Sequence, residues 1–184
     1  MRVQRFGEHR AMPWANGLGT SYEVASDRNV DGVWTWRVAI APVVLDGPFS
    51  VMPGVDRQLV VINGEGMTLS IDGEIVECPP GRVVRFSGGS TTEAHVIKSV
   101  NSPDSQVVDL GLMTVRSAAS GQIVVVEAAG NLLASDLVVA LTESLLSDGI
   151  GTQYGLGARD ALVGTRGSAL TLLRGSVAVV RLNY

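Results

Sequence analysis

The residues best suited to chemistry are concentrated in the first third of the chain. Arg37 and Arg57 each offer a planar guanidinium, a group that binds a carboxylate through paired hydrogen bonds. Asn16 carries both a donor and an acceptor in a glycine-containing loop, which can approach a ligand closely. Trp14 and Phe49 supply apolar surface. The segment predicts a pocket with two anion anchors, a polar contact at Asn16 and walls at Trp14 and Phe49.

Two carboxylates lie close to these arginines in the sequence. Glu23 and Asp56 either hold the guanidiniums in place or bind an amine of the ligand. The same groups equally fit structural ion pairs that have no part in binding, with the tryptophans as core residues. Both interpretations stay open from the sequence.

Metal and nucleophile chemistry have little support. The chain has two histidines, and Glu93 and His95 share one face of a predicted strand, but no third or fourth ligand can be named beside them. Cys78 is the single cysteine, so neither an intrachain disulfide nor a thiolate cluster is expected. No Gly-x-Ser-x-Gly motif occurs. We predict no metal and no other cofactor.

Charge and hydropathy narrow the class of partner. A net charge of -4 gives no excess of positive charge for phosphate backbones, so nucleic acid is not an expected partner. The apolar runs are shorter than the roughly 20 residues of a membrane helix, and no signal peptide is recognisable. We therefore expect a folded cytoplasmic protein with no membrane partner.

The elements that position these residues are predicted to be strands. The 22 glycines and 7 prolines divide the chain into short runs rich in Val, Ile and Leu, a pattern typical of an all-β protein. Residues 34–41 alternate, which places Arg37 on the face opposite Trp34 and Trp36. Residues 58–86 predict an antiparallel meander whose turns lie at Asn63-Gly64 and Asp72-Gly73.

More strands are predicted in the second half, with one ambiguous stretch. In residues 131–147, Leu137, Leu141 and Leu145 recur at helical spacing, yet residues 137–141 also suit a buried strand. Turn and strand patterns in the two halves of the chain echo each other weakly, as two related β-barrels would.

Several motifs of the chain resemble the HutD/Ves family of bacterial proteins. They are Pro-Trp-x-Asn-Gly-x-Gly-Thr at residues 13–20, Trp36-Arg37, Gly-Pro-Phe-Ser-x-x-Pro-Gly-x-Asp-Arg at residues 47–57, and Gly-x-Gly-Met at residues 64–67. The resemblance implies a bicupin fold, with a first barrel in residues 1–116, a second in residues 117–184 and room for strand exchange. It favours strands in residues 131–147. It adds candidate ligand-binding residues, namely Gly17, Thr20, Trp36, Ser50, Asp109 and Met113.

The same resemblance implies a metal-free binder of a small polar metabolite, with a carboxylate such as formylglutamate as one option. Some relatives are linked to histidine utilisation, so sensing or regulation in that or a related pathway is the expected role. Departures from the family pattern at Ala15, Leu18 and residues 110–116 weaken the link to one ligand. The exposed barrel strands are compatible with a homodimer.

Two other classes of function compete with a binding protein. One is a lyase or isomerase that uses Glu23 or Asp56 as general base and an arginine to stabilise an anion. The other is a protein-interaction module that docks a partner through the apolar loop at residues 49–53. We favour the binding protein over the enzyme.

Overall fold

The structure, a computed structural model, describes residues 1–14, 17, 19–98 and 106–184. These residues form 19 β-strands and one 3-10 turn at Phe6–Glu8, and they contain no α-helix. The all-β prediction is confirmed. Within the same residues, no helix is long and apolar enough to cross a membrane. Asn16, one of the candidate binding residues, lies outside the described residues.

The chain divides into two compact units. One consists of residues 10–120, and the other combines residues 1–9 with residues 121–184. The first nine residues join the C-terminal unit because strand β1 (Arg2–Gln4) pairs with residues 161–163. All of the described candidate binding residues lie in the unit of residues 10–120.

The unit of residues 10–120 is built from two antiparallel sheets. The six-stranded sheet has the order β2-β3-β4-β11-β6-β9, and the four-stranded sheet has the order β5-β10-β7-β8. The strands are β2 (Arg10–Pro13), β3 (Thr20–Arg28), β4 (Trp34–Val43), β5 (Gly47–Pro48), β6 (Val55–Asn63), β7 (Met67–Ile71), β8 (Glu74–Cys78), β9 (Val83–Ser87), β10 (Thr92–Val96) and β11 (Val107–Val115).

The other unit repeats this plan with five and four strands. Its strands, after β1, are β12 (Ser120–Val126), β13 (Gly130–Asn131), β14 (Leu137–Ala140), β15 (Ser144–Asp148), β16 (Gln153–Leu156), β17 (Ala161–Val163), β18 (Leu170–Arg174) and β19 (Val177–Asn183). The sheet orders are β1-β17-β14-β19-β12 and β13-β18-β15-β16.

The ambiguous stretch at residues 131–147 is extended, as the family resemblance favoured. β14 pairs with β17 on one side and β19 on the other, and all four of its residues are buried. A strand buried on both faces shows no alternation, so periodicity could not identify β14. The helical spacing is spread over two strands, because Leu137 lies in β14, Leu141 in the connection after it and Leu145 in β15.

The predicted meander at residues 58–86 is only partly correct. Asp72-Gly73 does form the hairpin between β7 and β8, with positive φ at both residues. Asn63-Gly64 does not form one, because β6 pairs with β9 and β11 while β7 belongs to the other sheet. Gly64 has φ of 89° and its Cα would place a Cβ 2.9 Å from the Val107 backbone. The glycine therefore permits a tight crossing between sheets.

The two units fill their interiors differently. Between its sheets, the C-terminal unit packs a continuous set of Leu and Val side chains that includes Leu146, Leu156 and Leu172. In the unit of residues 10–120, the apolar cluster is built around Val61, Met67, Leu69 and Cys78 and is flanked by Phe49 and Phe86. A cavity lies beside this cluster, and Leu59 and Phe49 contribute to both.

Candidate functional site

A cavity of about 250 Å³ opens into the unit of residues 10–120. Three adjacent strands of the six-stranded sheet, β4, β11 and β6, form its floor, and residues 48–52 form part of its wall. The lining residues are Pro13, Trp14, Ser21, Arg37, Ala39, Ala41, Pro48, Phe49, Ser50, Met52, Arg57, Gln58, Leu59, Asp109, Gly111 and Met113.

Strand register arranges the floor of the cavity in rows. Met113 lies opposite Arg37 on one side and Arg57 on the other. In the next row Gly111 lies between Ala39 and Leu59, and in the third row Asp109 lies between Ala41 and Val61. Successive rows are about 7 Å apart, because same-face residues of a strand are two positions apart.

This order of side chains explains why the interior is hollow here. The middle row contributes a glycine and an alanine, and the third row another alanine, so little side-chain volume stands above the sheet. A Cβ built on Gly111 would lie 3.7 Å from Asp109 Oδ1 and 3.9 Å from the nearest carbonyl oxygens. The missing side chain at Gly111 therefore accounts directly for space beside the Asp109 carboxyl group.

Arg57 is held by aromatic rings and a backbone carbonyl group. Its Cζ lies 4.9 Å from the Phe49 ring centroid and 5.2 Å from that of Phe86. Its Nη1 donates to the Ser50 carbonyl oxygen at 3.2 Å. Burial lowers the pKa of Arg57, and Asp109 partly offsets this effect, yet an arginine stays charged at neutral pH. No ion pair within 4.0 Å joins Arg57 to a carboxylate of the described residues.

Arg37 is more fully compensated. Its Nε lies 3.2 Å from Glu23 Oε2, and its Nη2 donates to Ser21 Oγ at 2.7 Å. Ser26 Oγ in turn donates to Glu23 Oε1 at 3.1 Å. Burial lowers the pKa of Arg37, while Glu23 raises it. Glu23 thus fixes one edge of the guanidinium and leaves the cavity side of Arg37 available to a ligand.

Asp109 brings a carboxyl group to the deep end of the cavity floor. Its exposed fraction is 6%, and none of the described residues donates a hydrogen bond to its side chain. Burial raises the pKa of Asp109 to about 7, and the electrostatic attraction of Arg57 lowers it. A bulge in the pairing of β11 with β6 lies between Val108 and Asp109. Bulges of this kind re-aim side chains next to binding sites.

Trp14 and Phe49 form apolar walls. The Trp14 ring lies against Gly19, where a Cβ would be 2.9 Å from the ring, and the Trp14 backbone nitrogen donates to the Gly19 carbonyl oxygen. Phe49 packs on the apolar cluster of this unit, and both rings also border a second cavity of about 70 Å³. The apolar loop at residues 49–53 therefore turns Phe49 and Met52 inward, while Val51 is exposed.

The structure brings seven of the predicted binding residues to the cavity and places five others elsewhere. The seven are Trp14, Arg37, Phe49, Ser50, Arg57, Asp109 and Met113. Glu23 lies behind Arg37, and Trp36 is buried on the opposite face of β4 with Val38 and Ile40. Asp56 points away from the cavity, where it accepts a hydrogen bond from Arg116 Nε at 2.7 Å. Gly17 and Thr20 belong to the loop and to the start of β3.

Sequence reasoning missed two polar residues of the lining. Ser21 contacts Arg37, and Gln58 lies on the same strand as Arg57. A lone serine near a strand end and a glutamine within an apolar run carry no signature of binding. For Ser21 a signal did exist, because it lies two residues before Glu23 on one strand and so shares its face.

The donor set of the cavity does not fit a metal ion. Its charged groups are two arginines, which are not metal ligands, and one aspartate. Across the described residues, no group of three or more His, Cys, Asp or Glu side chains converges. His95 is exposed and lies 3.5 Å from Asp46, while His9 is buried next to the Phe6 ring.

Two curated relatives share part of their sequence with the chain. An uncharacterised 21.2 kDa protein in the hutC 3' region of Pseudomonas putida is 36% identical over 76 residues, and the match covers 40% of each chain. Protein Ves of Citrobacter koseri is 28% identical over 118 residues, covering 62% of this chain and 59% of the relative. The matched region therefore spans less than two thirds of either relative.

Solved structures share the fold over nearly the whole chain. HutD from Pseudomonas fluorescens SBW25, in a formate condition, superposes with a TM-score of 0.81 at 24% identity and covers 99% of this chain and 97% of that one. A Cupin 2 conserved barrel domain protein from Leptotrichia buccalis superposes with a TM-score of 0.60 at 10% identity, covering 99% and 96%. These likenesses confirm the predicted cupin fold.

The sequence model of the HutD family matches residues 7–180, which is almost the entire chain and includes every residue that lines the cavity. The resemblance carried by the Trp-Arg strand, the glycine-rich loop and the segment at residues 47–57 is thus confirmed over both units, and this chain belongs to the HutD family.

Proposed function

We propose that the unit of residues 10–120 binds a small carboxylate metabolite in the arginine-lined cavity. The observation that carries this proposal is Arg57, a largely buried guanidinium at the cavity wall. Its described contacts are two phenyl rings and one carbonyl oxygen. A buried charge without a close counter-ion costs several kcal/mol, so an anion in the cavity stabilises it. Carboxylates match the planar geometry of a guanidinium.

The second arginine supports the same class of ligand. Arg37 lies across Met113 from Arg57, so both guanidiniums border one space. Glu23 compensates Arg37, and Asp109 interacts with Arg57 only at longer range. The charged groups described around the cavity are Arg37, Arg57, Glu23 and Asp109. Both arginines and Asp109 line the cavity, whereas Glu23 does not.

The size of the cavity limits the ligand. A volume of 250 Å³ corresponds to roughly eight water molecules at about 30 Å³ each. Trp14, Phe49 and Met52 make part of the wall apolar, which suits a short hydrocarbon segment. We therefore propose a metabolite with a carboxylate and a short carbon chain, and not a nucleotide or a peptide.

A role in histidine utilisation is the finer form of this proposal. One relative is described by its position in the hutC 3' region, and the similar HutD structure was obtained in a formate condition. Acids of that pathway, formylglutamate among them, are therefore the first ligands to test, and formate is the simplest. Regulation by such an acid follows if binding is specific and no product forms.

A thermal-shift and calorimetric screen tests the proposal. The panel contains formate, acetate, succinate, glutarate, glutamate and formylglutamate, with the matching amides or alcohols as uncharged controls. A ligand present well above its Kd raises the melting temperature, since it stabilises only the folded state. We expect at least one acid to bind while its uncharged analogue does not. If none of the acids binds, the proposal is wrong.

Two arginine variants locate the binding site. Arg57→Gln removes the guanidinium from the cavity, and we expect a loss of affinity of at least about 30-fold, the usual effect of truncating one member of a buried charge pair. Arg116→Gln is the matched control, because Arg116 is half exposed and forms its ion pair with Asp56 outside the cavity. Equal losses in both variants would contradict binding at the cavity.

A proton-transfer enzyme is the second candidate, favoured by Asp109. A carboxyl group with a pKa of about 7 beside an arginine can exchange a proton with a bound acid at neutral pH. Nuclear magnetic resonance of each binding acid in deuterated water would reveal exchange or conversion. Activity that Asp109→Asn abolishes while binding persists supports the enzyme, whereas binding without exchange supports the binding protein.

A further inference from the structure

Asp109 is the described acidic group that shares the cavity with both arginines. It lies on β11 two rows from Met113, so it is on the same face of the sheet as Arg37 and Arg57. The residue is buried, with an exposed fraction of 6%, and its carboxyl group borders the space left by Gly111 and receives no hydrogen bond from the described residues. Buried carboxyl groups normally have a hydrogen-bond partner, and the described residues do not supply one for Asp109.

The charged groups that face Asp109 come from three strands. Arg57 lies on β6, Arg37 on β4, and the thiol of Cys78 ends β8 in the opposing sheet. Burial raises the pKa of Cys78 to about 11, so this thiol is neutral near pH 7. No described histidine lines the cavity. The charge of Asp109 is therefore governed by its burial, by Arg57 and by any anion that enters.

An anion beside Arg57 competes with the ionised form of Asp109. Both would be negative charges in one buried space, and two carboxylates that share a site do not both ionise, since the proton of one is then held more tightly. We infer that Asp109 is neutral when a carboxylate occupies the cavity and that its O–H then donates a hydrogen bond to the bound ligand. This inference rests on the proposed function.

With Asp109 in this role, binding of a carboxylate is coupled to the uptake of one proton by the protein. The free cavity, a carboxylate anion and one proton from water give a complex in which Asp109 carries that proton, so charge and atoms balance. Near pH 8 most free Asp109 is ionised, and about one proton is taken up per ligand. Near pH 5 the group already holds its proton and uptake falls toward zero. Affinity then weakens by up to about tenfold for each pH unit above 7.

Proton uptake also sets the ligand class. A neutral Asp109 is a donor, so the cavity favours an oxygen acceptor at this point. An ionised Asp109 would instead favour a ligand that presents an ammonium or amide N–H group. Carboxylates that lack any nitrogen, such as acetate and succinate, separate these two cases because they have no donor to offer an ionised Asp109.

Calorimetry tests the inference with formate, acetate and succinate as probes. Binding enthalpy is measured at pH 5.5 in MES and in bis-Tris, and at pH 8 in HEPES and in Tris, because the difference between two buffers at one pH reports the number of protons exchanged. We expect uptake of about one proton at pH 8 and, for formate and acetate, which are largely ionised at both pH values, little at pH 5.5. Asp109→Asn, which keeps the shape and a donor, should bind with no uptake and with an affinity that no longer falls above pH 7.

The outcomes separate this inference from the proposed function. Binding without proton uptake at pH 8 overturns the inference and leaves carboxylate binding intact. Failure of all three probes to bind the wild-type chain at either pH overturns the inference, and failure of every acid in the wider panel overturns the proposed function as well. Uptake that persists in Asp109→Asn assigns the proton elsewhere and also overturns the inference. Asp56→Asn is the matched control and should retain the uptake, because Asp56 is on the exposed face of β6. If Asp109→Asn does not fold, the wild-type buffer pair still decides.

Discussion

Arg37 and Arg57 lie opposite the same residue, Met113, from the two strands that flank β11. Two strand spacings separate their backbones, which is roughly 10 Å. Two guanidiniums at this separation can reach one small anion between them, or one each of two acidic groups on a short chain. The relationship depends only on strand register, so a substitution that keeps the strands in place tests it cleanly.

Filling the cavity at Gly111 should abolish binding without harming the fold. Gly111→Val adds a β-branched side chain in a strand, which is favourable there, and the new Cβ meets its neighbours at 3.7 Å or more. We expect at least a tenfold loss of carboxylate affinity by calorimetry and a similar melting temperature. Gly155→Val makes the same change on β16 of the other unit, where no atom lies within 4 Å, and should bind normally.

Phe86 should act on binding through Arg57. Its ring faces the guanidinium at 5.2 Å, yet Phe86 is absent from the cavity lining. Phe86→Leu keeps apolar volume and removes the ring face, and cation–π contacts contribute about 0.5–2 kcal/mol. We expect Phe86→Leu to raise the Kd three- to tenfold. Phe86→Tyr, which keeps the ring face, should bind with the Kd of the wild type. Phe6→Leu, which removes the ring 4.7 Å from Arg159 Cζ, should leave the Kd unchanged. An unchanged Kd in Phe86→Leu would contradict this role.

Asp56 should be dispensable for binding although it neighbours Arg57 in sequence. Its ion pair with Arg116 is about half exposed, and such surface pairs contribute about 0–1 kcal/mol to stability. We expect Asp56→Asn to bind the carboxylate probes within twofold of the wild type and to melt within a few degrees of it. A large loss of binding or turnover in this variant would restore Asp56 as a site residue.

Asp109 should make the empty protein less stable as pH rises. The folded pKa of about 7 lies above that of an unfolded aspartate, so between roughly pH 4 and pH 7 the folded state holds a proton that the unfolded state has released. The stability from this proton is present at low pH and is lost as pH rises through 7. Between pH 5 and pH 8 the loss should reach up to about 3 kcal/mol more in the wild type than in Asp109→Asn. Urea unfolding at both pH values measures it, and equal losses would contradict the burial argument.

The general location of the cavity could be predicted from sequence because arginines and aromatic residues in an irregular, glycine-rich setting are uncommon. Alternation also predicted that Arg37 and Trp36 face opposite ways. It could not tell which face is the cavity, since both faces of β4 are buried or partly buried. The same alternation rule places Asp56 and Arg57 on opposite faces of β6, so only one of them can face the cavity. Their adjacency in the sequence nevertheless made both of them candidates for binding.

Other features depend on long-range pairing that local patterns do not encode. Asp109, Gly111 and Met113 become central only because β11 inserts between β4 and β6, strands that precede it by more than forty residues. Asn63-Gly64 has the composition of a hairpin turn, but the sheet to which β7 belongs decides that the chain crosses there instead. Small residues such as Ala39 and Ala41 indicate a cavity only once the strand register is known, because that register sets Ala39 opposite Gly111 and Ala41 opposite Asp109.

Cys78, in the apolar cluster of this unit, can serve as a native chemical probe of the interior. The thiol is fully buried, donates to the Val76 carbonyl oxygen at 3.7 Å and has a pKa of about 11, so little thiolate exists in the folded state. A thiol reagent can therefore react only when the sheets separate, and the labelling rate counts those openings. Because Cys78 is the single cysteine of the chain, the rate of one labelling reaction, followed by absorbance, reports how often the two sheets of this unit separate. The same rate, measured with a ligand present, shows how much binding slows that separation.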